Sequence, residues 1–277
     1  MQLSSRRRRW KPQGSVLWGF VGFGDEIIAA GQAQHYYDTR EERSVIVDLH
    51  GRPRWHPIWE GNPAIMRPTE KILPGDRRIL NAPNARPYIV YPFTAESGWT
   101  FNQDFHCRDY VAKIHLTAPE RSRGHYMRAR YGPYVLIEPW SKHANLTWPL
   151  DHWQQLIDAR PKITFVQHTH DQSPTLRGVH REPATFREAC GLVASARCYI
   201  RGESGMCHAA AALGAQQITI WGGCMDWDVM GGYPGQVGVG VTPPFCGRYL
   251  PCDHCRATMA AITVETVLAA LDQMGVA

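Results

Sequence analysis

Three turns of the sequence carry side chains that could bind or activate a substrate. The first contains Gly24 and Asp25, the second contains Ser141 and Lys142, and the third is the stretch RGESGMCH, residues 201–208. Each turn follows a short apolar segment that is typical of a buried strand. In parallel α/β sheets, ligands bind beyond the carboxyl ends of the strands, so these turns are the candidate site.

The third turn predicts an anion site at the start of a helix. Ser204 and Gly205 are small enough for a phosphate to approach the unpaired N–H groups and the partial positive charge there. The carboxylate of Glu203, at the rim, could accept hydrogen bonds from sugar hydroxyls. The alternative interpretation is that Glu203 or Ser204 only caps the helix, which requires no ligand.

The other two turns offer a cation and a carboxylate. Lys142 and Ser141 could neutralise a diphosphate, although a single surface lysine is usually only solvated. Asp25 could act as a base toward a hydroxyl, or it could only complement the dipole of its helix. The turn GFGDE lacks the third glycine of a dinucleotide-binding fingerprint, which argues against a nicotinamide cofactor.

Strand-like and helix-like segments alternate along the chain, which predicts βα units with parallel sheets covered on both faces. Two such series meet near residues 120–133 and predict two doubly wound domains, residues 1–125 and 126–277. The predicted strands are 14–22, 44–50, 86–92, 112–117, 133–139, 162–169, 197–202 and 215–223, and the predicted helices are 25–37, 118–132, 148–160, 184–196, 204–214 and 263–275. Residues 222–255 are predicted to be a loop region.

Composition limits the classes of protein that fit. The 277 residues include 30 basic and 25 acidic side chains, a net charge of +5 that favours an anionic ligand without requiring nucleic acid. The run Arg6 to Arg9 supplies most of the excess and is interpreted as a solvated tail. No apolar stretch approaches the roughly 18 residues of a membrane span, and no secretion signal is evident. These features predict a cytoplasmic protein.

One group of cysteines could bind a metal. Cys246, Cys252 and Cys255 lie close together in CGRYLPCDHC, with His254 between the last two. Three thiols and an imidazole at this spacing could hold zinc, but a second well-spaced pair is missing. The favoured interpretation is a packed, reduced loop with no metal, and zinc is the alternative.

Several motifs together resemble a known family. The Gly-x-Gly-Asp turn, the segment YVLIEPWSKHANLTWP, the block GESGMCHAAAALGAQQITIWGG and the ending CDHCRATMAAITVETVLAAL are similar to the heptosyltransferase-like glycosyltransferases of GT-B fold. The resemblance implies two Rossmann-like domains that face each other across a cleft. It also implies an inverting, metal-independent transfer of a sugar from a nucleotide-diphosphate donor. Such an enzyme needs no cofactor besides this co-substrate.

The resemblance also implies roles for individual residues. Asp25 would be the general base that activates the acceptor hydroxyl, and Glu203, where the family has an aspartate, would bind the donor sugar. The family commonly has a lysine where this chain has Leu146, so Lys142 would substitute for it. The donor-binding residues implied in this way are Gly24, Ser141, Lys142, Glu203, Ser204, Gly205, Met206 and His208.

The acceptor is left open by the sequence. A surface glycan or lipid-linked sugar is favoured, with the enzyme in the cytoplasm or peripherally at the inner membrane surface. A nucleic-acid base or a protein is the alternative, because the Trp- and Arg-rich segment 50–67 could bind such a molecule. A nucleotide-sugar-binding protein without catalysis, and an epimerase or hydrolase on a similar fold, are further alternatives.

Overall fold

The N-terminal part is built around one long helix. The computed structural model describes residues 21–94 and 97–276, so most of the predicted strand 14–22 and the arginine run lie outside the described residues. Helix α1 (Phe23–Arg40) leads to strands β1 (Ser44–Val47) and β2 (Arg77–Leu80), which pair in parallel. Strands β3 (Ile89–Val90) and β4 (Thr100–Phe101) form a separate antiparallel pair.

A six-stranded parallel sheet organises the second half of the chain, with the strand order β10-β9-β8-β5-β6-β7. Its strands are β5 (Tyr134–Glu138), β6 (Thr164–Thr169), β7 (Val179–Pro183), β8 (Cys198–Gly202), β9 (Gln217–Ile220) and β10 (Gln236–Val239). The helices of this half are α2 (Ala118–Tyr131), α3 (Leu150–Asp158), α4 (Phe186–Ser195), α5 (Gly205–Ala212), α6 (Trp227–Met230), α7 (Asp253–Ala261) and α8 (Val264–Gln273).

Alternate side chains of the central strands β5, β6 and β8 enter two separate cores. On β5, Leu136 packs into the core that contains α4 and α5, whereas Val135 and Ile137 pack into the core that contains α3 and α8. This alternation is the period of an extended strand with both faces buried. The mixed α/β class with a parallel sheet, predicted from the alternating segments, is therefore confirmed.

Two strands predicted in the N-terminal half differ from the structure: one is shorter than predicted, and the other segment does not form a strand. In the segment 86–92 only Ile89 and Val90 form a strand, because prolines at both ends lack the N–H that a longer ladder needs. The segment 112–117 is not a strand. Its carbonyls accept hydrogen bonds from side chains instead: Asn62 Nδ2 donates to Lys113 O at 3.1 Å, and Arg187 Nη2 to His115 O at 2.9 Å.

Residues 222–255 hold more regular structure than the loop predicted there. They contain α6 and the edge strand β10, which pairs in parallel with β9. Glycine lowers the strand propensity of this segment, so pairing with β9 and burial of Val239 determine its conformation. The edge strand β7 was also not predicted. The proposed domain boundary at residue 125 falls inside α2, which packs against α4.

None of the described helices is both long enough and apolar enough to cross a membrane.

Helix α1 is held tightly along its buried face, which fixes the position of its N-terminal turn. The indole N–H of Trp59 donates to the Glu26 carbonyl at 2.8 Å. At Gly31 the helix touches the backbone of Tyr110, and a Cβ there would overlap the Tyr110 carbonyl oxygen. Only glycine allows this approach.

We expect Gly31→Ala to destabilise the protein. Alanine favours a helix over glycine by up to about 1 kcal/mol, but the overlap with a backbone carbonyl forces a shift of the core that costs about 1–3 kcal/mol or more. Urea denaturation followed by circular dichroism measures the difference. Gly75→Ala is the control, since no atom lies within 4 Å of its added Cβ. A Gly31→Ala protein as stable as wild type would contradict the packing described here.

Candidate functional site

The N-terminal ends of α1 and α5 meet at two glycines. A Cβ on Gly24 would lie 3.1 Å from the Cα of Gly205, and a Cβ on Gly205 would lie 2.8 Å from the Gly24 nitrogen. The second distance is shorter than real Cβ contacts, so the two backbones could not approach this closely with larger residues. The first and third turns of the sequence are therefore brought together, and two partial positive helix ends meet at this point.

Asp25 is held in one position by three partners. Its Oδ2 accepts a hydrogen bond from the Gly22 N–H at 2.9 Å, and its Oδ1 forms an ion pair with Arg86 Nε at 3.0 Å and accepts a short hydrogen bond from the Tyr88 hydroxyl. Burial raises the pKa of Tyr88 well above its usual value, so Tyr88 remains a donor. Arg86 and Tyr88 were missed by sequence reasoning, because their segment was interpreted only as a strand.

Glu203 lies buried beside Asp25. Burial, together with the negative charge of Asp25, raises the pKa of Glu203 to about 7, although the positive charge of Arg201 opposes this shift. Its Oε1 lies 3.8 Å from Nε2 of His208. Burial also lowers the pKa of His208 to about 4, so this imidazole is neutral at neutral pH. Nδ1 of His208 hydrogen-bonds to the Tyr233 hydroxyl at 2.7 Å.

Arg201 belongs to a buried ion pair at the end of the sheet. β5 and β8 are neighbours with Glu138 opposite Arg201, and Arg201 Nη1 lies 2.7 Å from Glu138 Oε2. The Tyr199 hydroxyl donates to the same oxygen at 2.7 Å. Although burial opposes ionisation, the Arg201 charge and nearby hydrogen bonds lower the pKa of Glu138 to about 2. The Arg201 charge is thus already balanced, and its role is structural.

Ser204 caps helix α5. Ser204 is the N-cap of α5, and its hydroxyl oxygen accepts a hydrogen bond from the Met206 N–H at 3.1 Å. The Met206 side chain is buried in the core next to α1. The backbone N–H of Met206, one of the implied donor-binding residues, therefore already has a hydrogen-bond partner.

Ser141 and Lys142 follow β5 at the same edge of the sheet as Glu203. The Lys142 side chain is exposed, and the Ser141 hydroxyl accepts a hydrogen bond from the His143 N–H at 3.2 Å. Leu146, which stands where the family has a lysine, is buried in an apolar cluster. The carbonyl oxygen of Leu146 packs so closely on Gly202 that a Cβ at position 202 would overlap this oxygen.

Two clefts open beyond the strand ends. The first, of about 510 Å³, lies beyond β5 and β6 and is lined by Trp140, Asn145, Pro174, Arg256 and their neighbours. The second, of about 370 Å³, lies beyond β1 and β2, next to the first turn of α1. The second cleft has apolar wall atoms together with the charged and polar side chains of Glu26, Asp48, Arg54, His56 and Asn81.

The Trp- and Arg-rich segment 50–67 makes its contacts within the protein. Trp59 is buried, and the Arg67 guanidinium lies 4.3 Å from the ring centroid of Trp55. Arg54 Nη2 forms an ion pair with Glu26 Oε1 at 2.5 Å. These side chains are engaged in packing, which favours a structural role for the segment over a nucleic-acid-binding one.

The cysteine cluster converges as well. The ligating atoms of Cys246, Cys252, His254 and Cys255 all lie within 4.8 Å of one another. The described residues thus place together the three thiols and the imidazole for which the sequence analysis favoured a reduced loop, with zinc as the alternative.

The comparisons with known proteins concern the fold. No protein-family model and no curated protein sequence matches the chain. A solved structure described as a glycosyl transferase of family 9 from Veillonella parvula DSM 2008 superposes with a TM-score of 0.60 at 11% identity, with 92% of this chain and 94% of that chain covered.

Two further solved structures agree. The E. coli ADP-heptose lps heptosyltransferase II superposes with a TM-score of 0.56 at 12% identity, with 92% of this chain and 96% of that chain covered. The bacterial iron-containing dodecameric glycosyltransferase TibC, from enterotoxigenic E. coli, superposes with a TM-score of 0.61 at 15% identity, with 92% of this chain and 74% of that chain covered. The resemblance predicted from the sequence motifs is therefore confirmed in three dimensions: this chain has the fold of the heptosyltransferase-like glycosyltransferases.

Proposed function

We propose that the chain is an inverting, metal-independent glycosyltransferase that moves a sugar from a nucleotide-diphosphate donor to a hydroxyl group. The observation that carries this proposal is the contact between the first turns of α1 and α5, at Gly24 and Gly205. This contact places a fixed carboxylate, Asp25, next to a helix N-terminus that can receive an anion. A base and an anion site side by side are the minimum that such a transfer requires.

The donor would lie on the side of the six-stranded sheet. Its diphosphate would lie near the start of α5 and the exposed Lys142, and its nucleoside would occupy the cleft beyond β5, where Trp140 offers an aromatic face for stacking. Structures with this fold support the assignment by their descriptions, which name ADP-heptose for heptosyltransferase II and ADP-D-beta-D-heptose bound to TibC. Here Glu203 would contact the donor sugar, together with His208.

The transfer requires charge stabilisation at two points. As the sugar leaves, positive charge grows on its ring and negative charge grows on the diphosphate. The helix-terminal amides of α5 and Lys142 would stabilise the negative charge, and donors of this kind typically contribute about 10²–10³ in rate. Asp25 would accept the proton of the attacking hydroxyl, while the contacts with Arg86 and Tyr88 would hold its carboxylate in one orientation.

The acceptor would lie in the cleft beyond β1 and β2, beside its charged and polar side chains. Its wall includes the carboxylate of Glu26, which accepts hydrogen bonds from Arg54 and from Asn81 Nδ2, the latter at 2.7 Å. Such a surface suits a molecule rich in hydroxyls, so we propose a glycan or a glycolipid headgroup. The segment 50–67 is occupied internally, which supports this choice over nucleic acid. The enzyme would act in the cytoplasm or at the inner membrane surface.

We expect Asp25→Asn to abolish turnover while leaving donor binding intact. A positioned general base contributes about 10²–10⁴ in rate, and the amide cannot accept a proton. Turnover is measured by release of nucleoside diphosphate from nucleotide sugars. Donor affinity is measured by thermal shift, where a ligand at 100 times its dissociation constant stabilises the protein by about 2.7 kcal/mol.

Asp171→Asn is the matched control for this experiment, because it makes the same chemical change at an exposed position in the loop after β6. It should leave both readouts unchanged. A non-catalytic binder would show no turnover in any variant. If the turnover rate of Asp25→Asn is less than tenfold below that of the wild type, Asp25 is not the general base.

Because the pKa of Glu203 is raised, we expect the affinity for a nucleoside diphosphate to depend on pH. A diphosphate bound nearby disfavours the charged carboxylate, so binding takes up a proton when Glu203 is ionised in the free protein. The affinity for a nucleoside diphosphate should therefore fall as the pH rises through about 7. The fall should be at most tenfold per pH unit, and Glu203→Gln should remove this component.

Calorimetric titrations of both proteins at pH 6, 7 and 8 provide the test. The terminal phosphate of the ligand titrates near pH 6 as well, so the readout is the difference between wild type and Glu203→Gln at each pH. Identical pH profiles for the two proteins would show that the diphosphate does not lie near Glu203.

A further inference from the structure

The loop that enters α7 gathers thiols more closely than core packing requires. The Sγ atoms of Cys246 and Cys252 are 3.9 Å apart, and those of Cys246 and Cys255 are 3.1 Å apart. A tetrahedral ion with metal–sulfur bonds of about 2.3 Å places its sulfur ligands roughly 3.8 Å apart. A disulfide would need about 2.05 Å, and all three cysteines are free in this structure.

The imidazole of His254 is the fourth candidate ligand, beside the three thiols. The ligating atoms of His254 and the three cysteines lie within 4.8 Å of one another. The His254 ring rests on Gly223, where any side chain would overlap the ring. A glycine at 223 therefore makes room for His254 beside the thiols. Cys₃His is one of the usual ligand sets of structural metal sites.

Backbone hydrogen bonds and the first turn of α7 hold this cluster in place. Two backbone hydrogen bonds of 2.9 Å tie Cys246 and Gly247 to the residues after β9, from Cys246 N to Gly223 O and from Gly247 N to Cys224 O. Cys252 is the N-cap of α7, so Cys252, His254 and Cys255 share its first turn.

Asn145 fixes the loop to the donor side of the sheet. This buried amide follows β5, and its Nδ2 donates to the carbonyls of Arg248 and Leu250, both at 2.9 Å. Its Oδ1 accepts from the Cys252 N–H at 3.0 Å. The cysteine loop in turn forms one wall of the cleft beyond β5, through Pro251 and Cys252.

We propose that Cys246, Cys252, His254 and Cys255 bind one thiophilic metal ion, zinc or iron, which holds the wall of the cleft beyond β5 in place. Four protein ligands fill a tetrahedral site and leave no open position for a substrate, so the ion is structural. The proposal does not depend on the proposed transferase function, because it concerns metal content and stability.

The first test measures metal in the purified protein. The chain is produced without a histidine tag and without chelators, and metals are quantified by inductively coupled plasma mass spectrometry. We expect about one equivalent of zinc or iron per chain, and the element found distinguishes the two ions. Cobalt exchanged into the site should give the absorption bands of a tetrahedral thiolate complex. A folded protein that contains no metal and takes up no cobalt would overturn the proposal.

Variants locate the ion. Cys252→Ser and His254→Gln should each lower the metal content of the folded protein at least severalfold. The control is Cys190→Ala, which removes a free thiol buried in α4, far along the chain from the cluster, and should keep full occupancy. Full occupancy in Cys252→Ser would overturn the site, and full occupancy in His254→Gln would overturn the assignment of the fourth ligand.

Chelation tests the structural role. Removing a tightly bound ion withdraws its binding free energy from the folded state, so the melting temperature should fall by roughly 5 °C or more with a strong chelator and recover when the metal is restored. The Cys252→Ser protein should not respond to chelator. A wild-type melting temperature that is unchanged after proven metal loss would contradict the structural role.

Discussion

The close contact of Gly24 with Gly205 is the constraint on which the rest of the candidate site depends. It lets the first turns of α1 and α5 touch, so that Asp25 and Glu203 come within electrostatic reach of each other. Two carboxylates near two positive helix ends create a site where one group stays anchored and the other can change its charge near neutral pH. A bulkier residue at either glycine would separate the helices and undo this coupling.

The different surroundings of the two carboxylates explain why they would have different roles. Asp25 is satisfied by Gly22, Arg86 and Tyr88, and these contacts fix its direction. Glu203 lies 3.8 Å from the neutral His208, and burial has a larger effect on its pKa than the charges of Arg201 and Asp25 have. Groups whose environments differ in this way are typical of active sites in which one carboxylate transfers a proton and another contacts substrate.

The sequence predicts the parts of this protein that follow local rules. From residue 133 to 220 the predicted strands and helices are present in the structure, and the edge strand β7 is the strand there that the sequence analysis did not predict. The contact between Gly24 and Gly205 could be inferred only through a resemblance, since it joins residues far apart in the chain. Arg86, Tyr88 and Tyr233 could not be inferred at all, because their roles arise from tertiary placement, and no local signal marks them.

The errors have a common physical cause. The segment 112–117 has the composition of a strand, but Asn62 and Arg187 satisfy its carbonyls, so no neighbouring strand is needed. Conversely, β10 has poor strand propensity and forms because β9 offers it a partner. Buried backbone N–H and carbonyl groups need hydrogen-bond partners, and the tertiary structure determines which groups supply them.

Asn145 shows how one side chain can connect two regions of the fold. It sits in the loop after β5, which also carries Ser141 and Lys142, and it makes three hydrogen bonds to the loop that holds Cys252. These hydrogen bonds restrain the loop after β5 through the cysteine loop. In the proposed transfer Lys142 contacts the diphosphate, so order in the cysteine loop would affect catalysis through the position of this lysine.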